Sequence, residues 1–238
     1  VTDTILLQGI VGSTAYGLST PESDVDRLGI YAAPTEKFHG LHPPVGKHAS
    51  KVTTHPDITL HEVGKFAGLA LGGNPTILEL LWLPSYEVKT LTGESAVEIR
   101  QSFLSAKRVR DAYFGYATQQ FHRLKNRGDG SFSADTRKRT AKHARHLRRL
   151  LLQGFFLYRD GVLPIKLDNP TVEIIREFGE RVALGDIDLA ERTIASYSDN
   201  FSSVKPAIPE RPDEETVDRW LRRVRFARWR EEVAPGNF

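Results

Sequence analysis

The sequence predicts an α/β sheet domain followed by an all-helical one. Three observations predict it. Short apolar runs bounded by Gly, Ser and Pro turns fill the first hundred residues. From about residue 95 onward the apolar residues recur at helical spacing almost throughout. Charge changes at the same place: residues 1–100 hold 7 Lys and Arg against 11 Asp and Glu, residues 101–155 hold 13 against 3, and residues 156–238 hold 13 against 16. The expected domains are therefore 1–100 and 101–238.

Thr4 to Val11 is nearly continuous in apolar residues and reads as a buried strand. It ends in the turn Gly12-Ser13-Thr14-Ala15-Tyr16-Gly17. Thr20 to Asp24 is turn chemistry, and Val25 to Ala33 reads as a second strand stopped by Pro34. Residues 40–56, rich in Pro, Gly and His, read as loop. Asp57 to His61 alternates Ile58 and Leu60 with polar residues and predicts a third strand. Lys65 to Leu71 predicts a helix ended by Gly72-Gly73, and Asn74-Pro75 supplies an N-cap and a first helical residue for the next. Ala96 to Leu124 predicts one long helical segment or two. Asn126 to Asp135 is a Gly/Ser/Asp loop and the expected mobile segment. Thr136 to Arg159 predicts a basic helix with Leu147, Leu150, Leu151 and Phe155 on its apolar side. Helices over 170–183 and 186–196 follow, then a proline-containing connector over 198–212. A last helix over 214–233 carries Val217, Trp220, Leu221 and Val224 at i, i+3, i+4, i+7.

Composition excludes several classes of chemistry. With no cysteine, the 238 residues can form no disulfide, thiolate zinc site or cysteine nucleophile. His39, His42, His48, His55 and His61 lack the helical i, i+4 spacing of a zinc site. No apolar run reaches the length of a membrane span, and Val1 to Thr4 offers no basic region of a secretory leader, so a cytoplasmic location is expected. The net charge of +3 conceals the basic middle, which suits either a polyanion partner or a solvated helix surface. Oligomeric state is not legible.

The informative residues are Gly12-Ser13 and, after ten intervening residues, Asp24-Val25-Asp26. Two carboxylates at i and i+2 on a strand share one face, where like charges repel. A divalent cation relieves that repulsion, and Mg²⁺ takes hard oxygen ligands from one or two carboxylates plus substrate phosphates. Asp57 opens the next predicted strand; if that strand lies alongside, three carboxylates converge, a set suited to two ions roughly 3.5–4 Å apart. A Gly-Ser turn between strand and helix presents N–H groups and a hydroxyl to a phosphate.

The stretch Gly12 to Ile30, read as GSxAYGLxTPxSDxDxxGI, resembles the minimal nucleotidyltransferases of the DNA polymerase β superfamily. More narrowly it resembles the RNA repair pathway DNA polymerase beta family. Asp57 to Leu81 is similar to that family too, with Lys65-Phe66 and Asn74-Pro75 through Glu79-Leu80-Leu81. So is a third block, Lys142, His146, Arg149-Leu150-Leu151 and Gly154, followed by Gly161. The resemblance spans most of residues 8–165.

It implies a nucleotidyltransferase-type small mixed sheet with flanking helices, an NTP or dNTP donor, and loss of pyrophosphate. It also implies two Mg²⁺ ions, with Mn²⁺ as an alternative. By family role Asp24 and Asp26 bind both ions; Asp57 completes the ion that activates the acceptor hydroxyl and accepts its proton. Gly12 and Ser13 hold the triphosphate.

Lys142, His146 and Arg149 fall at i, i+4, i+7 on one helix face. They either neutralise the triphosphate or contact the acceptor across a cleft, or they form a solvated basic face with Arg145 and Arg148. His146 alone could be a hydrogen-bonded core residue. Tyr16 either stacks on a base or packs under its turn; Ser23 caps the turn before Asp24 or touches nucleotide. Glu62 is the rival to Asp57 as third ligand, and Glu79 is expected to be a buried, ion-paired carboxylate. The expected acceptor is an RNA 3′ end, tRNA-like, bound through the basic segment 107–149. A protein or small-molecule hydroxyl, or an inactive binding module, are the alternatives.

Overall fold

A computed structural model of the chain describes residues 2–21, 23–125 and 134–233. The expected mobile loop over 126–135 falls largely outside them. The described residues divide into two compact units, one built from residues up to 105 together with those from 211 onward, the other from residues 106–210.

In the first unit the strands are β1 (Thr4–Ile10), β2 (Arg27–Ala32), β3 (Ser50–Thr54), β4 (Asp57–Glu62) and β5 (Val88–Lys89). They form one mixed sheet in the order β3-β4-β2-β1-β5. β2 and β4 run parallel, and the other pairings are antiparallel. β1 and β2 are apolar without alternation because both faces of the sheet are covered: Leu7, Leu28, Ile30, Tyr31 and Ala32 are all buried. β3 lies in the stretch expected to be loop. It is an edge strand whose Lys51, Val52, Thr53 and Thr54 stay exposed, so it carries none of the apolar signal that marks a core strand.

The first unit's helices are α1 (Gly12–Tyr16), α2 (Val63–Leu71), α3 (Pro75–Leu80) and α4 (Leu91–Glu98). Asn74 caps α3 as its sequence demands, accepting from Ile77 N at 3.3 Å with Pro75 in the first turn. Of the one helical segment or two expected over 96–124, the structure has two: α4 ends at Glu98 and a 3₁₀ turn occupies Arg100–Phe103 before the next helix begins at Ala106.

The second unit holds α5 (Ala106–Lys125), α6 (Ala134–Asp160), α7 (Asn169–Ala183) and α8 (Ile187–Ser203). Asp168 and Asp186 cap α7 and α8 through the N–H groups of Thr171 and Leu189. Leu147, Leu150 and Leu151 of α6 are buried as their spacing predicts. Gly154 permits close packing of α5 on α6, because a Cβ there would lie 2.5 Å from Tyr113 Cβ.

The chain then returns. α9 (Glu214–Glu232) packs in the first unit and not in the helical domain expected over 101–238. Its buried stripe explains the return. Trp220 is 5% exposed, stands edge-on to Phe103 at 6.0 Å, and donates its indole N–H to Ser95 Oγ at 3.0 Å. Phe103 in turn meets Phe66 of α2 edge-on at 6.3 Å. No described helix is long and apolar enough to cross a membrane.

Candidate active site

Strand register places three sequence motifs at one edge of the sheet. Ile10 pairs with Arg27 across β1 and β2, and Arg27 pairs with Ile58 across β2 and β4. These three residues form a single row. β1 runs antiparallel to β2, and β4 runs parallel to it, so the chain just beyond Ile10 and just before Arg27 and Ile58 lies on the same side of that row. Val11-Gly12-Ser13 follow Ile10, Asp26 precedes Arg27, and Asp57 precedes Ile58. The backbone continues the pairing one step, since Val11 N–H donates to Asp26 O at 2.9 Å.

Asp24 and Asp26 differ from expectation in one respect. Both precede β2, which begins at Arg27, so strand alternation does not fix their side chains. Gly12 leaves room for the Asp26 carboxylate. A Cβ on Gly12 would lie 2.6 Å from Asp26 Oδ2, and Gly12 has φ +70°. The carboxylate occupies space that any other residue's side chain would need. Asp24 is exposed, and Ser23 builds the turn before it: its Oγ accepts from Thr20 N at 2.9 Å. Ser13 lies in the first turn of α1. Tyr16 is 4% exposed, so its ring packs under the turn and has little face left for a base.

Glu62, the rival third carboxylate, has other work. Its side chain accepts from Gly64 N at 2.8 Å as N-cap of α2, and Arg225 of α9 grips it at 2.5 and 2.8 Å. Glu79 is buried in α3. Lys65 donates to Gly46 O at 3.0 Å, tying a loop to α2. The residue next to Asp26, Arg27, is held by Glu87, whose two oxygens lie 2.9 Å from its Nε.

The donor set at the edge consists of hard carboxylate oxygens, the chemistry Mg²⁺ prefers, and Asp26 and Asp57 sit at neighbouring strand starts. That fits an ion completed by phosphate oxygens. Among the described residues, however, no three His, Asp or Glu side chains are gathered closely enough to hold a metal by themselves.

In the second unit, Lys142, His146 and Arg149 do share α6 but differ in exposure. Lys142 is exposed, whereas Arg149 is 3% exposed. Arg149 donates to Gln153 Oε1 at 2.5 Å and lies 3.0 Å from His146 Nδ1; Gln153 donates onward to Pro164 O at 2.7 Å. Burial, together with the cations Arg149, Arg123 and Lys142 and the neighbouring His143, pushes the His146 imidazole down to about 3. It is therefore neutral and accepts from Arg149. The family block on α6 is in large part a buried polar network, a role that helical spacing alone does not distinguish from a phosphate-binding face.

The basic segment is also partly neutralised within its own unit. Arg145 meets Glu180 of α7 at 3.9 Å, and Lys125 meets Glu191 of α8 at 3.5 Å. Arg148 donates to the Tyr197 hydroxyl at 2.6 Å and lies over its ring. The acids come from the segment whose excess of Asp and Glu follows the basic one.

Comparison with known proteins gives one family. The model of the RNA repair pathway DNA polymerase beta family matches residues 2–183. Solved structures similar to the chain include a nucleotidyltransferase-like protein from Exiguobacterium sibiricum, 12% identical, with a TM-score of 0.34 over 92% of this chain and 73% of that one. Among curated proteins, none matches the sequence.

Proposed function

Because the chain belongs to the RNA repair pathway DNA polymerase beta family, and with it to the nucleotidyltransferases of the polymerase β superfamily, we propose that it transfers a nucleotidyl group from an NTP to the 3′-hydroxyl of an RNA. The single observation that carries this reading is the shared sheet edge of Gly12-Ser13, Asp26 and Asp57, with Asp24 two residues upstream.

In the proposed reaction the acceptor oxygen forms a bond to the α-phosphorus of the NTP, and the bond from that phosphorus to the pyrophosphate oxygen breaks. Asp57 takes the hydroxyl proton. The Gly12-Ser13 turn supports the triphosphate with backbone N–H groups and the Ser13 hydroxyl. Asp24, Asp26 and Asp57 are the residues that would hold Mg²⁺, or Mn²⁺. When bound, the cations neutralise the phosphates and favour the ionised acceptor hydroxyl. The remaining parts of the proposal are a cytoplasmic protein and RNA contact through exposed cations of segment 107–149, Lys142 among them.

The test is incubation with each labelled NTP and dNTP, with Mg²⁺ or Mn²⁺, against total RNA and against protein extract. α-Phosphate label retained in RNA, with an equal amount of pyrophosphate released, supports the reading. Label confined to protein would move the acceptor to a protein hydroxyl.

A further inference from the structure

α9 lies beyond the residues matched by the family, and one of its faces is not used by the fold. Val217, Trp220, Val224 and Arg228 are buried, and Arg225 serves Glu62. On the opposite face Arg219, Arg222, Arg223, Phe226, Trp229, Arg230 and Val233 recur at spacings of three and four, which makes one continuous stripe. Phe226 is 58% exposed and Trp229 46%, against 5% for Trp220 on the same helix. Their rings form an adjacent pair, with centroids 5.9 Å apart and planes tilted by 34°.

Large apolar side chains at that exposure, side by side, are uncommon on a surface with no partner. Their surroundings choose the partner's chemistry. Phe226 has Arg222 and Arg223 one turn before it and Arg230 one turn after. Arg222 pairs with Asp218 at 2.7 Å on the exposed surface, a contact that water and salt readily exchange. Arg223 and Arg230 pair with no carboxylate among the described residues. An aromatic pair flanked by open guanidinium groups offers stacking faces for bases and cations for the phosphates between them. A neutral lipid surface or an apolar protein would leave the Arg223 and Arg230 guanidinium groups without counter-charges, whereas a strand of phosphates supplies them at every step.

We infer that the exposed face of α9 is a stacking platform for unpaired nucleotides of a single-stranded nucleic acid, with Phe226 and Trp229 taking bases and Arg223 and Arg230 taking phosphates. The inference rests on the proposed function only for the strand's role as acceptor. Binding itself requires neither NTP nor metal.

The experiment is fluorescence anisotropy of a labelled single-stranded oligouridylate with the full chain, in EDTA and without nucleotide. The Phe226→Ala/Trp229→Ala double variant is expected to bind about tenfold more weakly or worse. Arg223→Ala and Arg230→Ala are each expected to lower the slope of log affinity against log salt by about 0.7. Wild-type Trp fluorescence is expected to fall on binding, and a blunt RNA duplex of equal length to compete poorly. Thermal melting checks that the variants fold, which their exposure favours. Unchanged affinity in the folded double variant overturns the inference. So does a double variant that loses self-association, or binding to anionic vesicles, while keeping oligouridylate binding. Loss of transfer in an Asp26 variant that still binds oligouridylate would bear on the proposed function and leave this inference standing.

Discussion

Gly12 and Asp26 are fitted to each other: the Asp26 carboxylate reaches into the space beside the Gly12 Cα, 2.6 Å from where a Cβ would be. The sequence separates them by fourteen positions, and the antiparallel turn from β1 to β2 brings them together. Gly12→Ala therefore adds a methyl group against a carboxylate at a φ of +70° that alanine adopts only with strain. The left-handed backbone costs about 1–2 kcal/mol, and Asp26 must also move. The expected outcome is a modest fall in stability with a large fall in nucleotidyl transfer. Urea unfolding and a transfer assay on the same preparation check it; transfer near the wild-type rate would show that Asp26 need not hold this position.

Arg225 and Glu62 fasten the last helix to the sheet domain. Glu62 is 2% exposed and Arg225 22%, and the pair is bidentate. Removing one partner from a buried pair is strongly destabilising because the other charge is left without compensation. Arg225→Met is expected to cost about 3 kcal/mol, the lower end of the usual range, since Arg225 keeps some water. Denaturant unfolding of Arg225→Met, Glu62→Gln and the double variant measures it. A cost below about 1 kcal/mol would class the pair with ordinary surface bridges.

His146 makes stability depend on acid. Its folded pKa is lowered to about 3 from the ordinary 6.5. Between those values the unfolded chain takes up a proton that the folded chain refuses, so this contribution is complete above about 6.5 and is lost as pH falls toward 3. The slope is at most about 1.4 kcal/mol per pH unit. Unfolding free energies at pH 7, 6 and 5 for wild type and His146→Gln are expected to differ in slope, with the variant flatter. Parallel slopes would place the imidazole in water.

Two strands that build the site were legible from different patterns: Thr4–Ile10 is a nearly continuous apolar run and Asp57–Glu62 alternates Ile58 and Leu60 with polar residues, and both stand within one residue of where those patterns predict them. Edge strand β3 was not legible, because exposed Lys and Thr carry no periodic signal. Asp24, Asp26 and Asp57 could be named from spacing, but their common edge depends on strand order, which only register supplies. Tyr16 and Arg149 show a further limit: a motif fixes which residues recur, and packing decides that both are buried here. The return of α9 was invisible because its anchors, Trp220 to Ser95 and Arg225 to Glu62, lie more than a hundred residues apart in sequence.

The most direct test of the carboxylate edge is incorporation of labelled nucleotide into RNA by wild type and Asp26→Asn, with thermal melting run alongside. Asn keeps the size of the side chain and removes its charge. Transfer is expected to disappear while the protein still melts as a folded chain, since the isosteric Asn leaves the packing beside Gly12 unchanged. Asp26→Asn that transfers nucleotide at near the wild-type rate would contradict the account.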